Sequence, residues 1–177
     1  VVIPEDVKSI GNYTFYNCDK LIEISEDLFK GCTNVTDFNH TFGNCNGLTE
    51  LPENLFKECT NATSFYHTFS YCRALAKLPA GLFANCPDVT SFYGTFCENR
   101  ALKTIPVSIF DFNRKVKDFS HTFDYNELFI NDSGKITGES PYTVINGIKY
   151  HLYERFKNTD YFVTPVSYNS CFDGGQR

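Results

Sequence analysis

The chain has 177 residues, 42% hydrophobic and 16% aromatic, with 18 Phe and 11 Tyr but neither Trp nor Met. That is enough apolar material for a sizeable core, which excludes an intrinsically disordered chain. A net charge of −5, from 16 Lys plus Arg against 21 Asp plus Glu with no basic runs, leaves no footprint for nucleic acid or an anionic membrane. No apolar stretch approaches the roughly 18 residues of a membrane-spanning helix, so no membrane insertion is expected. The start, Val1-Val2-Ile3-Pro4, has no Met or basic segment, and Gly174-Gly175-Gln176-Arg177 completes no periodic element, as expected of a processed chain or a piece of a longer one.

Self-similarity sets the organisation. Segments starting at Leu21, Leu48, Leu75 and Leu102 recur with a 27-residue period. A ladder of phenylalanines (Phe15, Phe29, Phe42, Phe56, Phe69, Phe83, Phe96, Phe110, Phe123) alternates steps of 14 and 13. The residue before each Phe alternates between Thr (Thr14, Thr41, Thr68, Thr95, Thr122) and Leu or Ile (Leu28, Leu55, Leu82, Ile109), so each coil has two non-identical halves. Within a coil the apolar residues fall every third position, as in Phe56, Cys59, Ala62 and Phe65. That matches neither the period of a helix nor that of a strand, and predicts a flattened solenoid that buries one residue per corner. Equivalent residues would then stack about 4.8 Å apart. Short strands are expected at Leu21–Ile24, Leu48–Leu51, Leu75–Leu78 and Leu102–Ile105, three of them ended by Pro52, Pro79 and Pro106, which lack a donor. A helical turn is expected after each, as in Glu53–Lys57, and a second short strand in the other half, as in Val89–Phe92.

The opening residues carry a motif: Ile3-Pro4, Val7, Ile10-Gly11, Phe15, Cys18 and Leu21. This resembles the repeat I-P-x-x-V-x-x-I-G-x-x-A-F-x-x-C-x-x-L of the BspA-like, or Treponema-type, leucine-rich repeat family, with Thr14 where the family has Ala. Downstream, L-P-x-x-L-F-x-x-C-x-x-V-T-x-F-x-x-T-F is similar to a longer variant of Bacteroides-like surface proteins. The resemblance covers residues 2 to about 128. It implies an α/β leucine-rich-repeat right-handed solenoid of short strands and helical turns. It also implies a non-enzymatic bacterial cell-surface protein, often a lipoprotein, that adheres to a protein or glycan partner on a host or matrix surface. A structural spacer within a larger surface protein, and a phage or secreted receptor-binding module, are the alternatives. As a fragment the chain is expected to be monomeric.

Six of the eight cysteines follow the ladder at Cys18, Cys32, Cys45, Cys59, Cys72 and Cys86, and Asn99 and Asn113 fill the next two slots. No C-x-x-C pair occurs, which argues against zinc. Disulfides between neighbouring coils are geometrically conceivable. A column of three thiols on each side leaves one unpaired, however, and Asn replaces Cys freely. Buried free thiols filling a small core slot are therefore the expectation. Cys97 is off register, and Cys171 lies outside the repeat.

Residues 1–127 are read as the solenoid and 128–177 as a C-terminal cap with the start of a further segment. Tyr142–Ile145, Asn146-Gly147 and Ile148–Tyr153 predict a β-hairpin, because a two-residue Asn-Gly turn suits positive φ at both positions. The segment Tyr168–Phe172 resembles the start of another coil.

No hydrolase, metalloprotease or phosphate-loop motif is present, and the carboxylates are scattered, so no enzymatic activity and no cofactor are expected. His40, His67 and His121 share one repeat position, with Gly94 in the fourth; stacking could bring His40 and His67 together, but two His with no nearby carboxylate make a poor metal site, and Gly94 separates His121 from them. Sequons such as Asn34-Val35-Thr36, Asn61-Ala62-Thr63 and Asn131-Asp132-Ser133 follow from the repeat. What varies between coils is an outer stripe, His40, Tyr66, His67, Tyr93 and His121. It is the candidate binding surface or, failing that, a solvated packing edge.

Overall fold

A computed structural model of the chain describes residue 7 and residues 10–126, 141–158, 160–163 and 166–172. The domain boundary expected at 127–128 and the Asn131 sequon lie outside the described residues.

The coils stack through the second half of each repeat. Parallel bridges join Asp37 to Ser64, Ser64 to Ser91, Ser91 to Asp118, and Asp118 to Ser167. Alternate backbone N–H groups of one coil donate to carbonyls of the next: Phe38 to Ser64, His40 to Tyr66 and Phe42 to Thr68, at 2.9–3.0 Å, and again Phe65 to Ser91, His67 to Tyr93 and Phe69 to Thr95. The expected strands at Leu21–Ile24, Leu48–Leu51, Leu75–Leu78 and Leu102–Ile105 do not form; those residues have no regular structure. Between the second and third of them a single bond, Ala76 N–H to the Thr49 carbonyl, crosses at 3.0 Å. The prolines that close these segments remove donors, and the side chain of Glu53 takes the Gly81 N–H instead, at 2.6 Å.

The expected helical turns are also corrected. Around Glu53–Lys57 the chain makes separate turns, with N–H to carbonyl bonds from Leu55 to Pro52, Lys57 to Asn54, Cys59 to Phe56 and Ala62 to Cys59. Apolar residues three apart must all point inward, and an α-helix at 3.6 residues per turn rotates such residues off one face. Successive turns closed every three residues keep Phe56, Cys59 and Ala62 inside. The described residues accordingly contain no α-helix, and their single helix is the 3-10 helix Leu152–Lys157.

The core is three columns of rings. Phe15, Phe42, Phe69, Phe96, Phe123 and Phe172 stack at 5.2–5.8 Å. Phe29, Phe56, Phe83 and Phe110 stack at 5.6–6.0 Å. Phe38, Phe65, Phe92 and Phe119 form a third column at 5.3–5.9 Å, which the 14/13 ladder omits. Rings from different columns meet edge-on or tilted, as Phe56 does with Phe65 at 4.8 Å and 65°.

Several of the small ladder slots share one device. In these the side chain donates to the carbonyl of a Phe one coil earlier: Cys45 to Phe15 and Cys72 to Phe42, both at 3.1 Å, Asn113 to Phe83 at 3.1 Å, and Asn126 to Phe96 at 2.9 Å; Asn99 fills its slot without such a bond. Cys and Asn interchange because both are small donors facing the same acceptor. Thr before Phe does likewise: Thr68 donates to the Phe38 carbonyl and Thr95 to that of Phe65, each at 2.8 Å.

All eight cysteines are free thiols, and only Cys18 is exposed. Burial pushes the thiols of Cys86 and Cys97 up to about 12, and raises Cys59 further. A disulfide reagent should therefore label one thiol rapidly in the native protein and all eight after unfolding. Rapid native labelling of several, or fewer than eight in denaturant without reductant, contradicts this packing.

Past the fifth coil the spacing of the bridges nearly doubles: Ser91 pairs with Asp118, but Asp118 pairs with Ser167. The hairpin, β1 (Tyr142–Ile145) against β2 (Ile148–His151), and the 3-10 helix occupy this insertion. The hairpin meets the coils where the Tyr142 N–H donates to the Val107 carbonyl at 2.9 Å. Inside it lies Arg155, 1% exposed. Its guanidinium donates to the carbonyls of Asn113 and Phe110, both at 2.8 Å, and lies against the rings of Phe162 and Phe119. Asn113 makes the same pair of bonds one coil earlier, to Phe83 and Cys86. Arg155 is thus the next rung of the Cys/Asn column, reached from an irregular segment.

After the insertion the coil resumes. Phe119, His121 and Phe123 donate to Ser167, Asn169 and Cys171, and Phe172 stacks on Phe123 at 5.6 Å. Cys171, expected to lie outside the repeat, is buried in the slot that Thr122 fills one coil earlier.

Candidate functional site

The stripe residues come together on one edge of the stack, in two rows. The inner row is Tyr13, His40, His67, Gly94 and His121, and every member has positive φ, between 50° and 65°. This left-handed kink turns the chain out of the ladder and throws the side chain outward. Glycine suits the kink, and the other residues adopt it at the cost of about 1 kcal/mol each. The ring of Tyr13 stacks on His40 at 4.4 Å, and His40 on His67 at 5.1 Å and 6°. The His67 ring covers Gly94 so closely that a Cβ there would run into it. Gly94 is therefore required twice, by backbone conformation and by its neighbour.

The outer row is Asn39, Tyr66, Tyr93 and Ser120. Tyr66 and Tyr93 stack at 5.0 Å and 15°, and Tyr93 reaches His121 at 5.2 Å. Asn39 accepts from the Ser64 hydroxyl, and Ser120 shares a hydroxyl bond with Ser167, both at 2.7 Å. Tyr66 is 38% exposed, whereas His40, His67, Tyr93 and His121 are half-buried. The stripe is thus a row of rings seen edge-on. Their faces are taken by one another. The phenol oxygens of Tyr66 and Tyr93 and the ring nitrogens of His40 and His67 have no hydrogen-bond partner among the described residues.

His121 bonds Asp124 through Nδ1 at 2.7 Å, and the Asp124 carboxylate is almost wholly buried. Among the described residues, no nucleophile stands beside this pair in hydrogen-bond contact. Nor do the histidines converge on an ion: the parallel planes of His40 and His67 send their in-plane lone pairs side by side. No group of three or more His, Cys, Asp or Glu placed to hold a metal occurs among the described residues. Tyr13 also belongs to this edge, although the comparison of variable positions starts only at His40; its place one repeat before His40 is the signal that finds it.

Burial, reinforced by His40 and His121, lowers the His67 pKa to about 4 from 6.5, and burial also lowers His40. For a base held neutral by the fold, the unfolded chain takes up the proton first. Stability from His67 is therefore complete above pH 6.5 and lost as pH falls toward 4. His67→Gln should flatten the fall of Tm between about pH 7 and pH 4.5 relative to the parent. Identical slopes for the two proteins contradict the burial of this ring.

Six copies of the BspA type leucine rich repeat region match residues 1–117. No curated protein matches the chain significantly. Among solved structures, a leucine-rich repeat protein from Bacteroides ovatus ATCC 8483 is similar at 23% identity and a TM-score of 0.34, over 66% of this chain and 32% of that one. The chain thus spans about a third of that neighbour's length. The 27-residue period, the Phe and Cys/Asn ladders and the family match over residues 1–117 agree: the chain belongs to the BspA-type leucine-rich repeat family.

Proposed function

We propose that the chain is a protein-binding module at a bacterial cell surface, adhering to a host or matrix macromolecule through the edge that carries His40, Tyr66, His67, Tyr93 and His121. The observation that supports this most is the row of ring edges with unpartnered polar tips, repeated at about one coil spacing on a rigid backbone. A stacked row loses little side-chain entropy on binding, and Tyr is a frequent anchor at interfaces. Because the ring faces are sated by one another, the edge offers hydrogen bonds rather than the flat platform on which a sugar stacks, which favours a protein partner over a glycan. The family membership points the same way, since repeat solenoids bind along extended surfaces.

The test is retention on an immobilised panel of matrix proteins. The chain should hold at least one of them, and Tyr66→Ala with Tyr93→Ala should weaken that binding about tenfold or more. No retention on any, or binding untouched by the double variant, overturns the proposal.

A further inference from the structure

Two of the stripe histidines are packed without a partner for a proton. The His67 ring lies between His40, stacked on it at 5.1 Å and 6°, and Gly94, which it covers. Tyr66 meets it at 4.6 Å and Tyr93 at 5.4 Å. His40 is flanked by Tyr13 at 4.4 Å, Tyr66 at 5.3 Å and Tyr16 at 6.4 Å, besides His67. The titratable groups facing the pair are thus these four tyrosines, each other and, beyond Gly94, His121. Among the described residues neither ring has a hydrogen bond or an ion pair to a carboxylate. His121 differs: its Nδ1 bonds the Asp124 carboxylate at 2.7 Å.

Burial lowers the pKa of both rings from 6.5, that of His67 to about 4 with His40 and His121 adding to the effect. A neutral imidazole presents one N–H and one lone pair; a protonated one presents two N–H groups and a charge. The first proton, on His40, sets a cation against a neutral ring. The second, on His67, sets two like charges face to face among tyrosines and a glycine. A charged ring there regains hydration only by swinging out of the row. The backbone below does not follow, because His40 and His67 are held by their own N–H bonds to the Tyr66 and Tyr93 carbonyls, both at 2.9 Å.

We infer that the stripe is an acid-operated latch: proton uptake by His40 and His67 separates their rings, carries them into water and withdraws the surface they share with Tyr66 and Tyr93. This rests on the binding edge proposed above and adds its regulation. A partner fitted to the neutral row is held at neutral pH and released in acid, since it binds only the unprotonated form.

Ring contacts test the opening without a partner. In NOESY spectra the contacts between the His40 and His67 rings should be present at about pH 7 and lost at about pH 3.5, whereas the Phe42–Phe69 contacts persist at both. Retention tests the release. A matrix protein held at about pH 7 should be held about tenfold or more weakly at about pH 3.5. His40→Asn with His67→Asn keeps a residue suited to the left-handed kink, as Asn44 is, and takes up no proton. Whatever affinity that variant retains should change several-fold less between the two conditions than the parent's does. Histidine ring contacts that persist in acid overturn the inference. So do histidine and phenylalanine contacts that vanish together, which would report unfolding, and retention by the parent that is equal at both pH values or falls no more than the variant's. A chain that holds nothing even at about pH 7 sinks the binding reading instead, and the ring contacts still decide whether the row opens.

Discussion

Arg155→Ala should destabilise the C-terminal part of the molecule by about 2–5 kcal/mol, because it leaves the Phe110 and Asn113 carbonyls buried without a donor. The loss should be local. Amide exchange at Phe119, His121 and Phe123, whose partners are Ser167, Asn169 and Cys171, should accelerate strongly, while exchange at His40 and Phe42 changes little. Arg155→Lys should rescue only part, since a single ammonium does not span two carbonyls as a planar guanidinium does. Burial already pulls the Arg155 pKa down to about 10, so the fold bears a desolvation penalty to hold this group. That penalty is tolerable only because both carbonyls and two ring faces receive the charge. Uniform exchange across the stack, with or without the substitution, would contradict a cap-like role for this side chain.

Phe56→Ala should cost about 3–5 kcal/mol in urea or thermal unfolding, the usual range for truncating a buried Phe that cannot be backfilled. Its ring touches Phe29, Phe38, Phe65, Phe69 and Phe83 across three coils, so no neighbour can move into the space without opening another. Phe15→Ala, at the half-buried end of its column, should cost well under half as much. Equal losses at the two sites would mean that the stack does not unfold as coupled neighbouring coils.

Most of the stack is legible in the residues. The alternation of Thr-Phe and Leu-Phe marks two halves per coil, and the interchange of Cys and Asn marks a small slot that donates to a carbonyl. The location of the ladder is less legible. The L-x-x-L segments look more like strands than Asp37-Phe38-Asn39-His40 does, yet backbone pairing follows the stretch that has no proline and carries two left-handed kinks, in that coil at His40 and Asn44. Those kinks are nearly invisible, because His40, Asn44, His67, Tyr71, Glu98 and His121 occupy positions that glycine usually signals. The single hint is Gly94, in register with three histidines.

The insertion hides the rest. Ser167 stands well over one repeat after Asp118, so Phe172 falls off the ladder, and Cys171 conceals the Thr-Phe mark of its coil. Arg155 has no periodic address at all. Its role follows only from the two carbonyls it meets. The stripe emerges from comparing coils, which shows what varies. That its rings are stacked edge-on, with their faces covered, depends on χ angles that spacing does not encode.

The most direct test of the stacked-coil architecture is a NOESY spectrum of the labelled protein, read for contacts between equivalent residues. The predicted pattern is a contact at every repeat from Asp37 to Ser64 to Ser91 to Asp118, followed by one longer step to Ser167. Ring contacts from Phe42 to Phe69 to Phe96 to Phe123 to Phe172 should run alongside. Contacts from Asp118 to a residue one repeat further on, or no contacts at these separations, would contradict it.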